Sequence, residues 1–131
     1  MHTQRTNPRA EYRILANQRI KDSSSLAQKF PKLKSLKVDL DYFDPTGVTR
    51  NGGMKYKANL EHAKSVFCFN CVNGECVGGD YDLSDQLFQA IAKRRKVVSG
   101  ELRCQGLRHY KEPRQRVPCQ NILRFKLSLS Y

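Results

Sequence analysis

The sequence predicts an α+β domain: a small antiparallel sheet of four or five strands, one helix packed on it, and a thiolate metal site pinning the loops. Two observations predict the sheet and helix. Apolar residues recur at period two in several stretches and at helical period in one. A third predicts the metal: 131 residues hold five cysteines, three of them within nine positions beside glycine-rich turns. That length suits one domain.

The first 32 residues read as a basic, flexible arm, followed by a single domain over residues 33–131. Asn7 can cap a helix with Pro8 at its first position, running to about Lys21. Its apolar stripe of Tyr12, Leu15 and Ala16 is thin, so the helix is marginal alone. Ser23-Ser24-Ser25 is a break, and Phe30-Pro31 ends any further helix.

From Leu36 the period becomes two. Leu36, Val38, Leu40 and Tyr42 alternate with Lys37, Asp39 and Asp41, the mark of a strand with one buried face. Turns follow at Asp44-Pro45-Thr46-Gly47 and Asn51-Gly52-Gly53. Met54, Tyr56, Ala58 and Leu60 then alternate with Lys55, Lys57 and Asn59 as an antiparallel partner. An extended run from Ser65 to Asn70 leads into the cysteine loop. Asp82 to Arg95 reads as the packed helix, capped by Asp82 and burying Leu83, Leu87, Phe88, Ala90 and Ile91. Lys93 to Lys96 sit at its end, where the helix dipole favours cations. Val97 to Arg103 is a strand, Gln105 to Pro118 a long basic loop, and Leu123 to Tyr131 the cleanest strand.

The five cysteines are Cys68, Cys71, Cys76, Cys104 and Cys119. The odd count, without a secretory segment at the start, argues for reduced thiols and a cytoplasmic protein. Structural zinc takes four ligands from tight turns. Cys71 and Cys76 flank a loop containing Asn73-Gly74 and followed by Gly78-Gly79. Cys104 ends a strand before Gln105-Gly106, and Cys119 begins the last strand. Counting in twos turns Cys104 and Cys119 towards the core. If residues 66–71 run as a strand, Cys68 faces away from Cys71. The expected ligands are therefore Cys71, Cys76, Cys104 and Cys119, with Cys68 the spare. The loop and the two strand ends resemble a zinc ribbon in general style. Zn2+ held by four thiolates is structural, although the same thiolates suit an iron–sulfur cluster. Ordinary buried thiols are the plainer alternative.

The formal charge is +12, with 24 Lys and Arg against 12 Asp and Glu. It is uneven. Residues 1–37 hold nine basic and two acidic side chains, residues 38–90 four and eight, and residues 91–131 eleven and two. This polarity points to a polyanionic partner. Lys93, Arg94, Arg95, Lys96, Arg103, Arg108, Lys111, Arg114 and Arg116 are expected to cluster around the cysteine-bearing turns as candidate phosphate contacts, with His109 and Tyr110 placed among them to stack on bases. Arg124 and Lys126, on the polar face of the last strand, extend that set.

Asp80, Asp82 and Asp85 could be drawn as a magnesium site, but carboxylates at a helix start cap it. No phosphate loop, nucleophile elbow or metalloprotease motif occurs. The expectation is thus a small basic zinc protein, not an enzyme, that binds RNA or single strands, with no small-molecule substrate and no membrane partner. The alternative is an interaction module docking its arm and loop on an acidic protein.

Overall fold

A computed structural model of the chain describes residues 8–72, 76–77, 79–108 and 117–131. In chain order these form α1 (Pro8–Asp22), α2 (Leu26–Lys29), β1 (Ser35–Phe43), β2 (Arg50–Lys57), β3 (Cys68–Asn70) and β4 (Cys76–Val77). There follow β5 (Asp80–Asp82), α3 (Ser84–Ala92), β6 (Val97–Arg103), β7 (Leu107–Arg108), β8 (Val117–Pro118) and β9 (Ile122–Ser130). The chain combines helices with antiparallel sheet.

The two segments of strictest alternation form the centre. β1 and β9 lie side by side, antiparallel, in register from Ser35 opposite Ser130 to Phe43 opposite Ile122. Leu36, Val38, Leu40 and Tyr42 on one strand and Leu123, Phe125, Leu127 and Leu129 on the other are buried on the shared inner face. β2 flanks β1 and β6 flanks β9, giving the order β2-β1-β9-β6. The second strand begins earlier than its alternation indicates, at Arg50, because pairing with β1 carries through Gly52 and Gly53. A Cβ on Gly53 would stand 2.6 Å from the Leu40 carbonyl oxygen, so that close approach needs glycine.

The helix α3 covers the core with Leu87 and Ala90, preceded by the fully buried Leu83. Leu83, not Asp82, occupies the cap position, while the Asp82 carboxylate accepts from the Ser84 N–H at 2.9 Å. The helix stops at Ala92, short of Arg95. Arg94 turns left-handed at φ 50°, and the Arg94 and Arg95 N–H groups donate to Ile91 and Ala90. That is the Schellman closure, with arginine where glycine is usual. The Tyr131 hydroxyl secures it, its single proton shared between the Arg95 carbonyl at 2.9 Å and the Ala90 carbonyl at 3.2 Å.

Within the segment read as an arm, α1 spans Pro8–Asp22. Ser25 opens α2 with a reciprocal capping box to Gln28, and Leu26 is fully buried in the core. Two smaller sheets complete the fold, β3 with β5 and β4-β7-β8.

Candidate metal centre

Four cysteines meet where the short strands end. Cys71 follows β3, Cys76 opens β4, Cys104 joins β6 to β7, and Cys119 follows β8. All four are buried, and their sulfurs lie within 4.8 Å of one another. Cys71 and Cys119 sulfurs are 3.7 Å apart, and those of Cys76 and Cys104 are 3.5 Å apart. A disulfide needs about 2.05 Å. Four sulfurs about 2.3 Å from an ion at tetrahedral angles stand about 3.8 Å from each other. These two distances lie close to that value, and the cluster could hold a metal ion.

The backbone builds this convergence. The Cys71 N–H donates to the Gly79 carbonyl at 3.2 Å, and the Cys119 N–H to the Gly106 carbonyl at 2.9 Å. The Cys104 N–H reaches the Asn121 carbonyl at 2.8 Å, and the Gln120 N–H returns to Cys104 at 3.2 Å. Gln120 adopts φ 54° to make that return. The Gly106 N–H points at the Cys104 sulfur at 3.4 Å. Gly79 and Gly106 leave room for the sulfurs: a Cβ on Gly79 would overlap those of Cys76 and Cys104, and one on Gly106 that of Cys76.

Burial pushes the Cys76 thiol up to about 12. The Cys104 thiol is also raised, by its hydrogen bond with Cys71 and by burial. Without a cation these groups are held as neutral thiols, and a metal must displace their protons. Tyr81 closes the inner side. It is almost fully buried, donates to the Asn121 carbonyl at 3.0 Å, and has its hydroxyl 4.0 Å from the Cys71 sulfur. Its phenol is raised by burial, then by Cys71.

Cys68 stands apart. It is half-buried in β3, with the Arg19 guanidinium 3.4 Å from its sulfur, and burial beside Asp82 pushes its thiol up to about 11. Asp82 also pairs with Arg19 at 4.0 Å, and Asp80 accepts from Tyr12 at 3.3 Å. Both carboxylates thus hold α1 against β5.

The basic residues divide. Arg103 lies next to Cys104, with its guanidinium on the Pro45 carbonyl at 3.2 Å, and Arg108 lies in β7 opposite Cys76. Lys93 to Lys96 precede β6, whereas Cys104 follows it, so a strand of seven residues separates them. At about 3.3 Å per residue that places Lys96 roughly 25 Å from the cysteines. The expectation that all these cations cluster at the cysteine turns is corrected for Lys93, Arg94, Arg95 and Lys96, because an extended strand cannot fold them back. His109, Tyr110, Lys111, Arg114 and Arg116 lie outside the described residues, as does the Asn73-Gly74 turn. Tyr81 and Asn121 were not anticipated; nothing in the local pattern marks them. Gly79 and Gly106 carried a signal in their adjacency to cysteines.

Fold and site together define a mixed helix-and-antiparallel-sheet protein with a buried four-thiol cluster able to hold a metal. Compared with known proteins, the chain matches no family model, no curated protein and no solved structure. Among the described residues, no helix is long and apolar enough to cross a membrane.

Proposed function

We propose that this protein is a cytoplasmic, structural-zinc module that binds nucleic acid and performs no catalysis. The observation that carries the reading is the set of four buried sulfurs at 3.5 and 3.7 Å pair spacing. Four thiolates fill a tetrahedral zinc shell and leave no position for an activated water, so the ion would hold the loops. The three-stranded sheet β4-β7-β8, with cysteines at its ends, supports the zinc-ribbon-like description. The charge of +12 supports a polyanionic partner bound mainly through phosphates. Exposed Ile14 and Leu15 on α1 favour a second reading, in which that helix docks on a protein partner.

The test is metal content by mass spectrometry on natively purified protein, with oligonucleotide binding followed by anisotropy across a salt series. About one zinc per chain, and affinity that falls steeply with salt, is the expected result. Absence of metal would reduce the cysteines to core thiols. Salt-insensitive binding to one protein partner, without nucleic-acid affinity, would favour the second reading.

A further inference from the structure

The outer face of the four-stranded sheet differs sharply between its two ends. At the end beside the cysteines, its cations are engaged. Arg50 pairs with Asp41 at 3.0 Å, and Arg124 pairs with Glu101 at 3.3 Å while stacking 4.5 Å over the Phe43 ring. The turn after β1 folds over this end: Arg103 reaches the Pro45 carbonyl, and a Cβ on Gly47 would stand 3.6 Å from the Ile122 side chain.

At the other end the register lines up Lys57, Lys37, Ser128 and Val97 across the four strands, followed by Lys55, Asp39, Lys126 and Ser99. Four exposed lysines here meet one carboxylate, Asp39, which Lys55 approaches at 3.6 Å. Lys37 and Lys57 stand directly opposite each other, an arrangement that weakens a sheet unless an anion relieves it. The four lysines, Asp39 and Ser128, with Tyr56 from β2, line a depression of about 340 Å³. Lys96 adjoins it, since its carbonyl accepts from the Leu129 N–H at 2.7 Å one residue before Val97. The exposed cations after α3 and the sheet lysines therefore share one end of the molecule.

Building on the nucleic-acid reading above, we infer that this open end of the sheet holds the phosphate backbone of a single-stranded nucleic acid. Lys55 and Lys57 project from the same face, two residues and about 7 Å apart. That is close to the step between successive phosphates of an extended strand. Cations of β1 and β9 continue the track across the sheet. The depression sets four lysines around a single aromatic side chain, Tyr56, so binding is sequence-tolerant and governed mainly by counterion release.

The experiment titrates zinc-loaded protein into a fluorescent single-stranded oligonucleotide at several salt concentrations. It compares wild type, a sheet variant (K37Q, K55Q, K57Q, K126Q) and a loop variant (R108Q, K111Q, R114Q, R116Q). The sheet variant is expected to bind at least tenfold more weakly at low salt. Its log-affinity against log-salt slope should shrink by about 0.7 per lysine removed. If it retains wild-type affinity and slope while the loop variant loses both, the inference is overturned and the nucleic-acid reading stands. If wild type ignores the oligonucleotide, or prefers phosphatidylserine vesicles, the nucleic-acid reading fails with it. Retained zinc and an unchanged circular dichroism spectrum certify the fold of each variant. Should the sheet variant fail that check, single K57Q and K126Q variants take its place, each expected to lower the slope by about 0.7.

Discussion

The four-stranded sheet and the cysteine-bearing lobe are stabilised by different physics. In the sheet, β1 and β9 run nine residues each and bury alternate large side chains, each worth about 1.5–3 kcal/mol on full burial. In the lobe, β4, β7 and β8 are two residues long and offer little apolar area. What converges there are four small sulfurs, two closely packed glycines and a buried tyrosine. A bound structural zinc contributes an apparent 10–16 kcal/mol in small folds, roughly. The difference teaches that the sheet rests mainly on side-chain burial, whereas on the zinc reading proposed above the lobe depends on a bound ion.

The largest expected effect breaks the lobe and spares the sheet. Cys104→Ser should abolish metal binding and forfeit linked free energy of up to about 10 kcal/mol. Hydrogen exchange should then quicken at Cys104, Gln120 and Cys119 while β1 and β9 stay protected. Equal loss of protection in both regions would refute their independence. Leu127→Ala attacks the other side. Leu127 is fully buried on the central strand β9, so its truncation should cost about 2–5 kcal/mol and lower the denaturation midpoint of the whole chain.

A smaller effect comes from crowding. Gly106→Ala would put a methyl against the Cys76 sulfur and 2.6 Å from the Gly79 nitrogen. Its expected cost is about 1–3 kcal/mol, read as at least tenfold weaker zinc in a chelator competition, with sheet protection unchanged. Tyr81→Phe removes the bond to the Asn121 carbonyl and should lower stability by about 1 kcal/mol at unchanged metal stoichiometry.

pH sharpens the same contrast. Burial raises Cys76 from its ordinary 9.0 to about 12. A raised pKa means the folded site favours the neutral thiol. In the metal-free chain, that contribution is fully present below about pH 9 and is lost as pH rises towards 12. The loaded chain responds in the opposite sense, because ligation needs thiolate: acidification should release the metal. Melting temperatures of both forms across pH measure this, and parallel curves would contradict it.

Much of this was legible locally. The alternations at Leu36–Tyr42 and Leu123–Tyr131 marked β1 and β9, because one face of each is buried along its length. The helix over Leu83–Ile91 showed its stripe for the same reason. Its end was not legible: Arg94 in a left-handed turn, closed by Tyr131 from across the sheet, leaves no local pattern. The separation of Lys96 from Cys104, by contrast, follows from the strand expected over Val97–Arg103, whose seven extended residues keep the basic run away from the cysteine turns.

By itself the sequence determined the periodicities, the supply of thiols beside glycine turns and the excess of positive charge, all properties of neighbouring residues. Only the tertiary structure decided that Cys71 stands beside Cys119 and Cys76 beside Cys104, that Leu26 joins the core, and that Lys37 and Lys57 face each other while Arg50 and Arg124 find carboxylates. Those outcomes depend on strand register and chain reversal, which bring distant residues within ångströms of one another and which no local spacing encodes.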